Sequence, residues 1–311
     1  MQPRRDDVVM STLGAEQTED EASLPAWAAM FDNIALTKAD DLAAFVAAQS
    51  EDEPAVRALQ GGLRADRAGF AFVAGYHAAC DAVFGVAPWP ALCVTEQGPP
   101  HPRSIECRFE NGALFGTKTY VTGGPLAQTL HVLARAEPFD DEDQRRLIVA
   151  TLRADAPGVG IVTMPPTSFV PEVPHGRVSF DGAVPDTVAE NGWGGYVKPF
   201  RTVEDIHVTM SVLAYLSCAL QRQGGAPSDV DAIAAVVTTL FTLAQTSPER
   251  AATHRVLAGA YALAESIWPR LRLTGEEGAR WARDQKLLRI AQAARQARQK
   301  AAWARTGAHA E

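Results

Sequence analysis

Metal-binding and disulfide-forming side chains are scarce in this sequence. It contains four cysteines, Cys80, Cys93, Cys107 and Cys218, none in a C-x-x-C pair, and its seven histidines are dispersed. Scattered cysteines without paired spacing argue against a disulfide scaffold and against a zinc site. We therefore expect a cytoplasmic protein, from a reducing compartment, that binds no metal.

The sequence also lacks an excess of positive charge and a long apolar run. Its 29 lysines and arginines are outnumbered by 37 aspartates and glutamates, for a net charge of -8. A general nucleic-acid binder needs a basic surface, and an anionic membrane repels an acidic protein. No uninterrupted apolar run is long enough to span a bilayer. We expect no nucleic-acid partner and no membrane insertion.

The sequence does contain enough apolar material for a large core, because 47% of its 311 residues are hydrophobic. A chain of this length has room for two or three domains. Residues 1–24 are polar and acidic, which predicts a mobile tail. Residues 25–87 are alanine-rich with apolar residues at helical spacing, which predicts an N-terminal helical domain. The Gly61-Gly62 pair is expected to divide this domain into at least two helices.

The pattern changes at Pro88-Trp89-Pro90, and residues 88–190 form the predicted middle domain. Its short β-branched segments are bounded by glycine or proline, which is typical of strands. The predicted strands cover 91–95, 115–122, 129–135, 147–152, 159–164 and 177–180. Asn111-Gly112 predicts a hairpin turn after the 105–109 run. Short strands without helices between them favour an antiparallel barrel or sandwich.

Helical spacing returns in residues 191–311, the predicted C-terminal bundle. Thr202 or Asp205 is expected to cap a first helix. Further helices are predicted near 229–244 and 248–268. The last is predicted over 276–305, where scattered basic residues favour a solvated face with internal ion pairs. The predicted fold class is α+β multidomain, with an N-terminal helical domain, a central antiparallel β-barrel and a C-terminal helical bundle.

Four short motifs occur in an order that resembles the acyl-CoA dehydrogenase superfamily. Residues 92–96 read Leu-Cys-Val-Thr-Glu, and residues 116–122 read Gly-Thr-Lys-Thr-Tyr-Val-Thr. Residues 178–185 read Val-Ser-Phe-Asp-Gly-Ala-Val-Pro, and residues 283–290 read Arg-Asp-Gln-Lys-Leu-Leu-Arg-Ile. The chain resembles a short, divergent member of that superfamily.

The resemblance implies a fold, a cofactor and a reaction. The fold is the helix–barrel–helix arrangement, assembled as a homo-oligomer or as a hetero-oligomer with a related dehydrogenase. The cofactor is FAD, between barrel and bundle. The function is that of an oxidoreductase acting on CH–CH groups, with an acyl-CoA or similar small molecule as substrate. A glutamate removes the α-proton, and the flavin carries out the redox chemistry.

The resemblance also implies which residues contact the flavin. Tyr120 would stack on the ring, Thr122 would reach its polar edge, and backbone amides near Thr95 and Gly123 would meet its pyrimidine end. Arg222 would contact a phosphate. The alternative is that these are ordinary strand residues and that Arg222 complements a helix dipole.

The catalytic base departs from the commonest pattern. Gln292 falls where many members carry their glutamate, and a neutral amide cannot accept the proton. Some branches place the base early in the first bundle helix, where this chain has Glu204. The alternative is that Glu204 only occupies a helix's first turn, where negative charge is favourable. Asp205 and His207 are expected to point to other faces.

A catalytically inactive homologue is the second hypothesis for the whole chain. The stretch after Glu96 contains Pro99, Pro100 and Pro102, which supply no amide donors. Such a chain would act as a binding or assembly subunit of a larger dehydrogenase.

Overall fold

The structure, a computed structural model, describes residues 28, 36–37, 39–49, 53–98, 101–139 and 146–306. The predicted tail, residues 1–24, lies outside the described residues. Helices precede and follow a sheet. The helices are α1 (Leu42–Ala47), α2 (Pro54–Arg64), α3 (Ala68–Phe84), α4 (Lys198–Arg222), α5 (Pro227–Ala244), α6 (Ala251–Ile267), α7 (Gly275–Asp284) and α8 (Gln292–Arg305). The strands are β1 (Pro90–Cys93), β2 (Arg108–Glu110), β3 (Ala113–Thr122), β4 (Thr129–Ala136), β5 (Leu147–Arg153), β6 (Val159–Thr163), β7 (His175–Ala183) and β8 (Thr187–Ala189).

The first helices pack directly against α4, which belongs to the C-terminal part of the chain. The prediction of a break at Gly61-Gly62 is wrong, because both glycines lie inside α2. A Cβ on Gly62 would overlap the carbonyl oxygen of Ser211 in α4, and a Cβ on Gly75 would lie 2.6 Å from Val208 Cα. Gly62 and Gly75 therefore allow close helix packing, and α2 ends at Arg64, two residues after Gly62.

The described strands form one sheet in the order β6-β7-β3-β2-β4-β5-β8, with β1 beside β4. The predicted strands are found with boundaries shifted by a few residues, and β8 was not predicted. The predicted hairpin at Asn111-Gly112 joins β2 to β3, and both residues have positive φ. Two positive φ angles are the requirement that favours an Asn-Gly pair in a two-residue turn.

The prediction of an antiparallel barrel is wrong in two respects. β1 and β2 both run parallel to β4. β1 pairs with the first half of β4 and β2 pairs with its last residues, so the sheet is mixed. The strand order does not close among the described residues, because β6 and β8 do not pair. Side-chain alternation indicates a strand but does not encode its partner's direction, and here β1 and β2 both pair with the edge of β4 that β5 does not occupy.

The helix that follows the sheet begins earlier than predicted. A π-helical turn, Gly192–Val197, leads directly into α4, and Pro199 lies in its first turn. Thr202 and Asp205 therefore lie inside α4, and neither caps it. Proline is favoured at this end because its missing N–H has no helical partner to lose.

The predicted last helix is divided into α7 and α8 by a 3₁₀ segment, Gln285–Arg289. Leu287 and Leu288 of this segment are buried. The Asp284 carboxylate accepts a hydrogen bond from the amide of Val170, 2.7 Å away. These tertiary contacts, which local helix propensity does not record, interrupt the helix.

Within the described ranges, two helices are long and apolar enough to cross a membrane by length and composition. They are Gly192–Arg222, with 83% of its most apolar window buried inside the protein, and Pro227–Ala244, with 39% buried. The core helix of a globular protein passes the same test. α4 is such a helix here, because it contributes to the hydrophobic core shared by α2, α3, α5 and α6.

Candidate active site

A cavity of about 230 Å³ lies between the end of β3, the loop before β7, α4 and the break between α7 and α8. We call it the Glu204 cavity. Apolar side chains form much of its wall, including Phe72, Phe169, Val170, Val208, Leu287 and Leu288. Its polar lining residues are Thr122, His175, Glu204, Asp205, Thr209 and Arg295. An apolar cavity with a few convergent polar groups is the usual form of a small-molecule site.

Glu204 places a carboxyl group in this cavity without a hydrogen-bond partner in the described part of the chain. The pKa of Glu204 is raised to about 8, mainly by burial and also by the neighbouring Asp205 carboxylate, and Arg201 and Arg298 partly offset this rise. α4 starts at Lys198, so Glu204 does not lie in the first turn of the helix. The alternative that it only complements the helix dipole is therefore not supported.

Asp205 lines the same cavity, which contradicts the expectation that it points to another face. It forms an ion pair with Arg298, and its second oxygen lies 3.5 Å from Arg295 Nε. Burial raises the pKa of Asp205, and both arginines favour its charged form. His207 does point away, with Nδ1 2.8 Å from the Val203 carbonyl oxygen. One carboxylate thus faces two arginines beside Glu204.

The interpretation of the last helix as a solvated face is wrong for Arg295 and Arg298. Both are half-buried and turn toward α4. The Arg295 guanidinium also lies 3.9 Å from the centre of the Tyr261 ring, and the Tyr261 hydroxyl donates to the Asp205 carbonyl oxygen at 3.1 Å. Charged and aromatic groups from α4, α6 and α8 are therefore joined at one side of the cavity.

The sheet supplies the opposite side of the cavity. The Thr122 hydroxyl at the end of β3 has no hydrogen-bond partner among the residues described. His175 begins β7, its Nδ1–H donates to the Val173 carbonyl oxygen at 3.1 Å, and burial lowers its pKa. A neutral imidazole and a hydroxyl thus face the helices across the cavity.

The Arg-Asp motif at 283–284 positions part of this wall. Asp284 is fully buried, pairs with Arg283 and accepts the Val170 amide described above. Val170 has a φ of 40°. A β-branched residue rarely adopts that conformation, so the Asp284 contact helps to stabilise it. The motif therefore holds the loop before β7 against α7.

Tyr120 and Thr95 do not line the Glu204 cavity. Tyr120 has a φ of 51° at an irregularity of β3, and 61% of its surface is exposed. Thr95 follows β1, and its carbonyl oxygen accepts a hydrogen bond from Thr119 N at 2.8 Å. The Gly123 amide, expected to be available to a flavin, donates to the Pro174 carbonyl oxygen at 2.9 Å. Tyr120 is thus an exposed ring two residues before Thr122.

Lys118 and Glu96, from two of the motifs, form a buried pair within the sheet. The Lys118 ammonium is fully buried, 2.6 Å from the Glu96 carboxylate and 3.3 Å from the Val94 carbonyl oxygen. Glu96 also accepts the amide hydrogens of Glu106 and Cys107. A buried charge requires this kind of complete partnering, so these motif residues hold the 94–107 excursion in place.

Arg222 lies at the end of α4, away from the Glu204 cavity. Its guanidinium is 2.7 Å from the Glu277 carboxylate. Gln223 donates to the other oxygen of Glu277 and accepts from Thr274. Arg222, which was expected to contact a phosphate, therefore forms an ion pair with Glu277.

The residues fit the ring of a flavin better than its phosphates. Tyr120 offers an exposed aromatic face. The Thr95 and Thr122 hydroxyls, which have no hydrogen-bond partner among the described residues, offer hydrogen bonds to a polar ring edge. Arg222 offers no unmatched charge. Among the described residues, no group of three or more histidines, cysteines or acids is placed to hold a metal.

Comparison of the structure with solved structures identifies the fold, whereas comparison of the sequence with known sequences does not. No protein-family model matches the sequence, and no curated protein matches it. Butyryl-CoA dehydrogenase from Megasphaera elsdenii is similar, with a TM-score of 0.60 at 14% identity, covering 84% of this chain and 82% of that chain. The fold is that of the acyl-CoA dehydrogenases.

Other solved structures with this fold also resemble the chain. PigA with FAD and proline has a TM-score of 0.59 at 13% identity, covering 83% of both chains. FMN-bound TdsC from Paenibacillus sp. A11-2 has a TM-score of 0.56 at 14% identity, covering 80% of this chain and 82% of that chain. The acyl-CoA dehydrogenase fold expected from the motifs is thus confirmed, with a mixed, open sheet in place of the closed barrel.

Two of the five site residues predicted from the sequence, Glu204 and Thr122, meet in one cavity. Sequence reasoning missed Arg295 and His175. The only sequence signal for Arg295 was its place in a run of scattered basic residues, which does not distinguish a buried arginine from a solvated one. Nothing in the sequence indicated His175 as a site residue, because a single histidine outside any motif does not predict a function.

Proposed function

We propose that the chain is a flavin-dependent oxidoreductase that acts on CH–CH groups of an acyl thioester or a related small substrate, with Glu204 as the base. The observation that carries the proposal is the Glu204 carboxyl group, which lines an apolar cavity without a hydrogen-bond partner among the described residues. A general base must face the reacting carbon and have a pKa near the working pH, and the pKa of about 8 meets the second requirement.

The surrounding side chains support removal of a proton. Arg295 lines the cavity beside Glu204, and its positive charge favours a substrate oxygen that becomes negative when the adjacent carbon loses its proton. The apolar part of the wall lowers the local polarity, which strengthens this interaction. When bound, a flavin, FAD in this proposal, supplies an acceptor for the two electrons and the second hydrogen. Tyr120 and Thr122 would contact its ring.

The first test is the visible absorption spectrum of the purified protein, before and after incubation with excess FAD and desalting. We expect a retained oxidised-flavin band. Bleaching of that band by a panel of acyl-CoA substrates then reports the reaction. Glu204→Gln should retain the flavin and slow bleaching by about 10²- to 10⁴-fold, because the amide cannot accept a proton. Glu110→Gln, the same change at the sheet surface, should bleach at the wild-type rate.

The pH dependence gives an independent check on the base. Glu204 must be ionised to accept a proton, so the rate should rise about tenfold per pH unit toward about pH 8 and level above it. An unchanged rate in Glu204→Gln would remove Glu204 from the mechanism.

A catalytically inactive assembly subunit is the second candidate. The observation in its favour is the Arg222–Glu277 pair, which leaves the expected phosphate contact neutralised. Gln292, in the position of the common base, is exposed and lies outside the Glu204 cavity. Absence of flavin under both conditions, with co-purification of a larger flavoprotein, would favour this candidate over the enzyme.

A further inference from the structure

A second cavity, of about 420 Å³, is lined by Arg298, whose guanidinium pairs with Asp205 of the Glu204 cavity. The start of α4, the turn before α6, the first turn of α6 and the end of α8 surround it. We call it the basic pocket, and its polar lining residues are Lys198, Thr202, Glu249, His254, Arg298 and Arg305.

The basic pocket contains more positive charge than its neighbours neutralise. Arg298 is matched by Asp205. Among the described residues, Lys198 makes no ion pair, and Arg305 is bonded only to the backbone carbonyl oxygen of Glu249, at 3.1 Å. Among the described lining residues, the two positive charges of Lys198 and Arg305 thus exceed the one negative charge of Glu249. This local excess of positive charge is unusual in a chain with a net charge of -8, and it favours an anionic ligand.

His254 lies within this positive field. Its Nδ1 atom is buried and has no hydrogen-bond partner in the part of the chain that the structure describes. Burial lowers the pKa of His254, and the charges of Arg298, Arg305 and Lys198 lower it further. An unpartnered buried polar atom is costly in a folded protein unless a ligand or water satisfies it.

The beginning of α6 adds to the positive potential. The helix starts at Ala251, between Glu249 and His254, and no side chain caps its first amides. The first amides of a helix and its dipole favour anions. Two cations without ion-pair partners among the described residues, the His254 imidazole and this helix end therefore surround the same cavity.

We propose that the basic pocket binds a phosphate group, either as free phosphate or as the phosphoryl part of a nucleotide-bearing ligand. Lys198, Arg305 and the α6 amides would neutralise and hydrogen-bond the phosphate oxygens, and His254 would contribute one further hydrogen bond.

Isothermal titration calorimetry of the full chain with inorganic phosphate, ADP and adenosine, at matched ionic strength, tests the proposal. We expect phosphate and ADP to bind and adenosine not to bind. Lys198→Gln combined with Arg305→Gln should weaken phosphate binding about tenfold or more, because two charge-assisted contacts are lost. Neither side chain contributes an ion pair with the described residues, so this variant should remain folded.

The control is Lys286→Gln combined with Lys300→Gln, which changes net charge equally at exposed positions outside the pocket. It should alter the affinity by less than about twofold. Tighter binding of ADP than of phosphate supports a nucleotide-bearing ligand, and equal affinities support free phosphate. NMR titration of His254 should show its pKa rising when phosphate is added. Absence of phosphate binding, or equal weakening in both double variants, would overturn the proposal.

Discussion

Glu204 holds a proton at a pH where most glutamates have lost theirs, and this has a cost in stability. Its folded pKa, about 8, lies above the ordinary value of 4.5. Between these two values the unfolded chain releases a proton that the folded chain retains, so the free energy of unfolding falls as pH rises. Above about pH 8 the cost is complete. The burial that raises the pKa of Glu204 thus also lowers the free energy of unfolding at high pH.

The prediction at this scale concerns the stability difference between wild type and Glu204→Gln. The variant has no proton to lose, so its advantage in free energy of unfolding should grow from pH 4.5 to about pH 8, by at most about 1.4 kcal/mol per pH unit. Urea unfolding across that range measures it. A difference that does not change with pH would mean that Glu204 ionises normally in the folded protein.

At the scale of elements, glycine decides how closely the first helices approach α4. Gly62 packs against the backbone of Ser211, and the Ser211 hydroxyl donates to the Ala71 carbonyl oxygen at 2.7 Å. α2 and α3 therefore both contact one short segment of α4. That segment lies close to Val208 and Thr209, which line the Glu204 cavity, so helix packing also sets the shape of the site.

Two glycine-to-alanine changes within helices test whether glycine is needed for this close packing. Gly62→Ala should lower the free energy of unfolding by about 1–3 kcal/mol, because the new methyl group overlaps backbone that has no room to move. Gly259→Ala, in an exposed part of α6 with open space, should raise it by about 0.5–1 kcal/mol. Urea unfolding of both variants measures these values, and effects of the same sign would contradict the packing argument.

At the scale of the whole molecule, three buried histidines with lowered pKa values are expected to reduce stability in acid. Burial lowers the pKa of His77 to about 3 and those of His131 and His207 to about 4, from an ordinary value of 6.5. Below pH 6.5 the unfolded chain binds protons at these positions and the folded chain does not. Their contribution to stability is therefore present above pH 6.5 and is lost as the pH falls.

His131→Gln isolates one of these groups. Relative to this variant, wild type should lose up to about 1.4 kcal/mol per pH unit between pH 6.5 and about pH 4. His101→Gln, at an exposed histidine, should follow wild type. Free energies of unfolding at a series of pH values give both comparisons. Parallel curves for wild type and His131→Gln would show that His131 titrates normally.

The sequence by itself determined the order of helices and strands, the β2–β3 turn and the acyl-CoA dehydrogenase resemblance, because periodicity, turn chemistry and short motifs are local. It also indicated Glu204 and Thr122. Tertiary structure alone decided that they share a cavity and that Asp205 and Arg295 join them. It also decided that β1 and β2 run parallel to β4, and that Arg222 is matched by Glu277. Each of these depends on contacts between residues far apart in the chain, which no local pattern encodes.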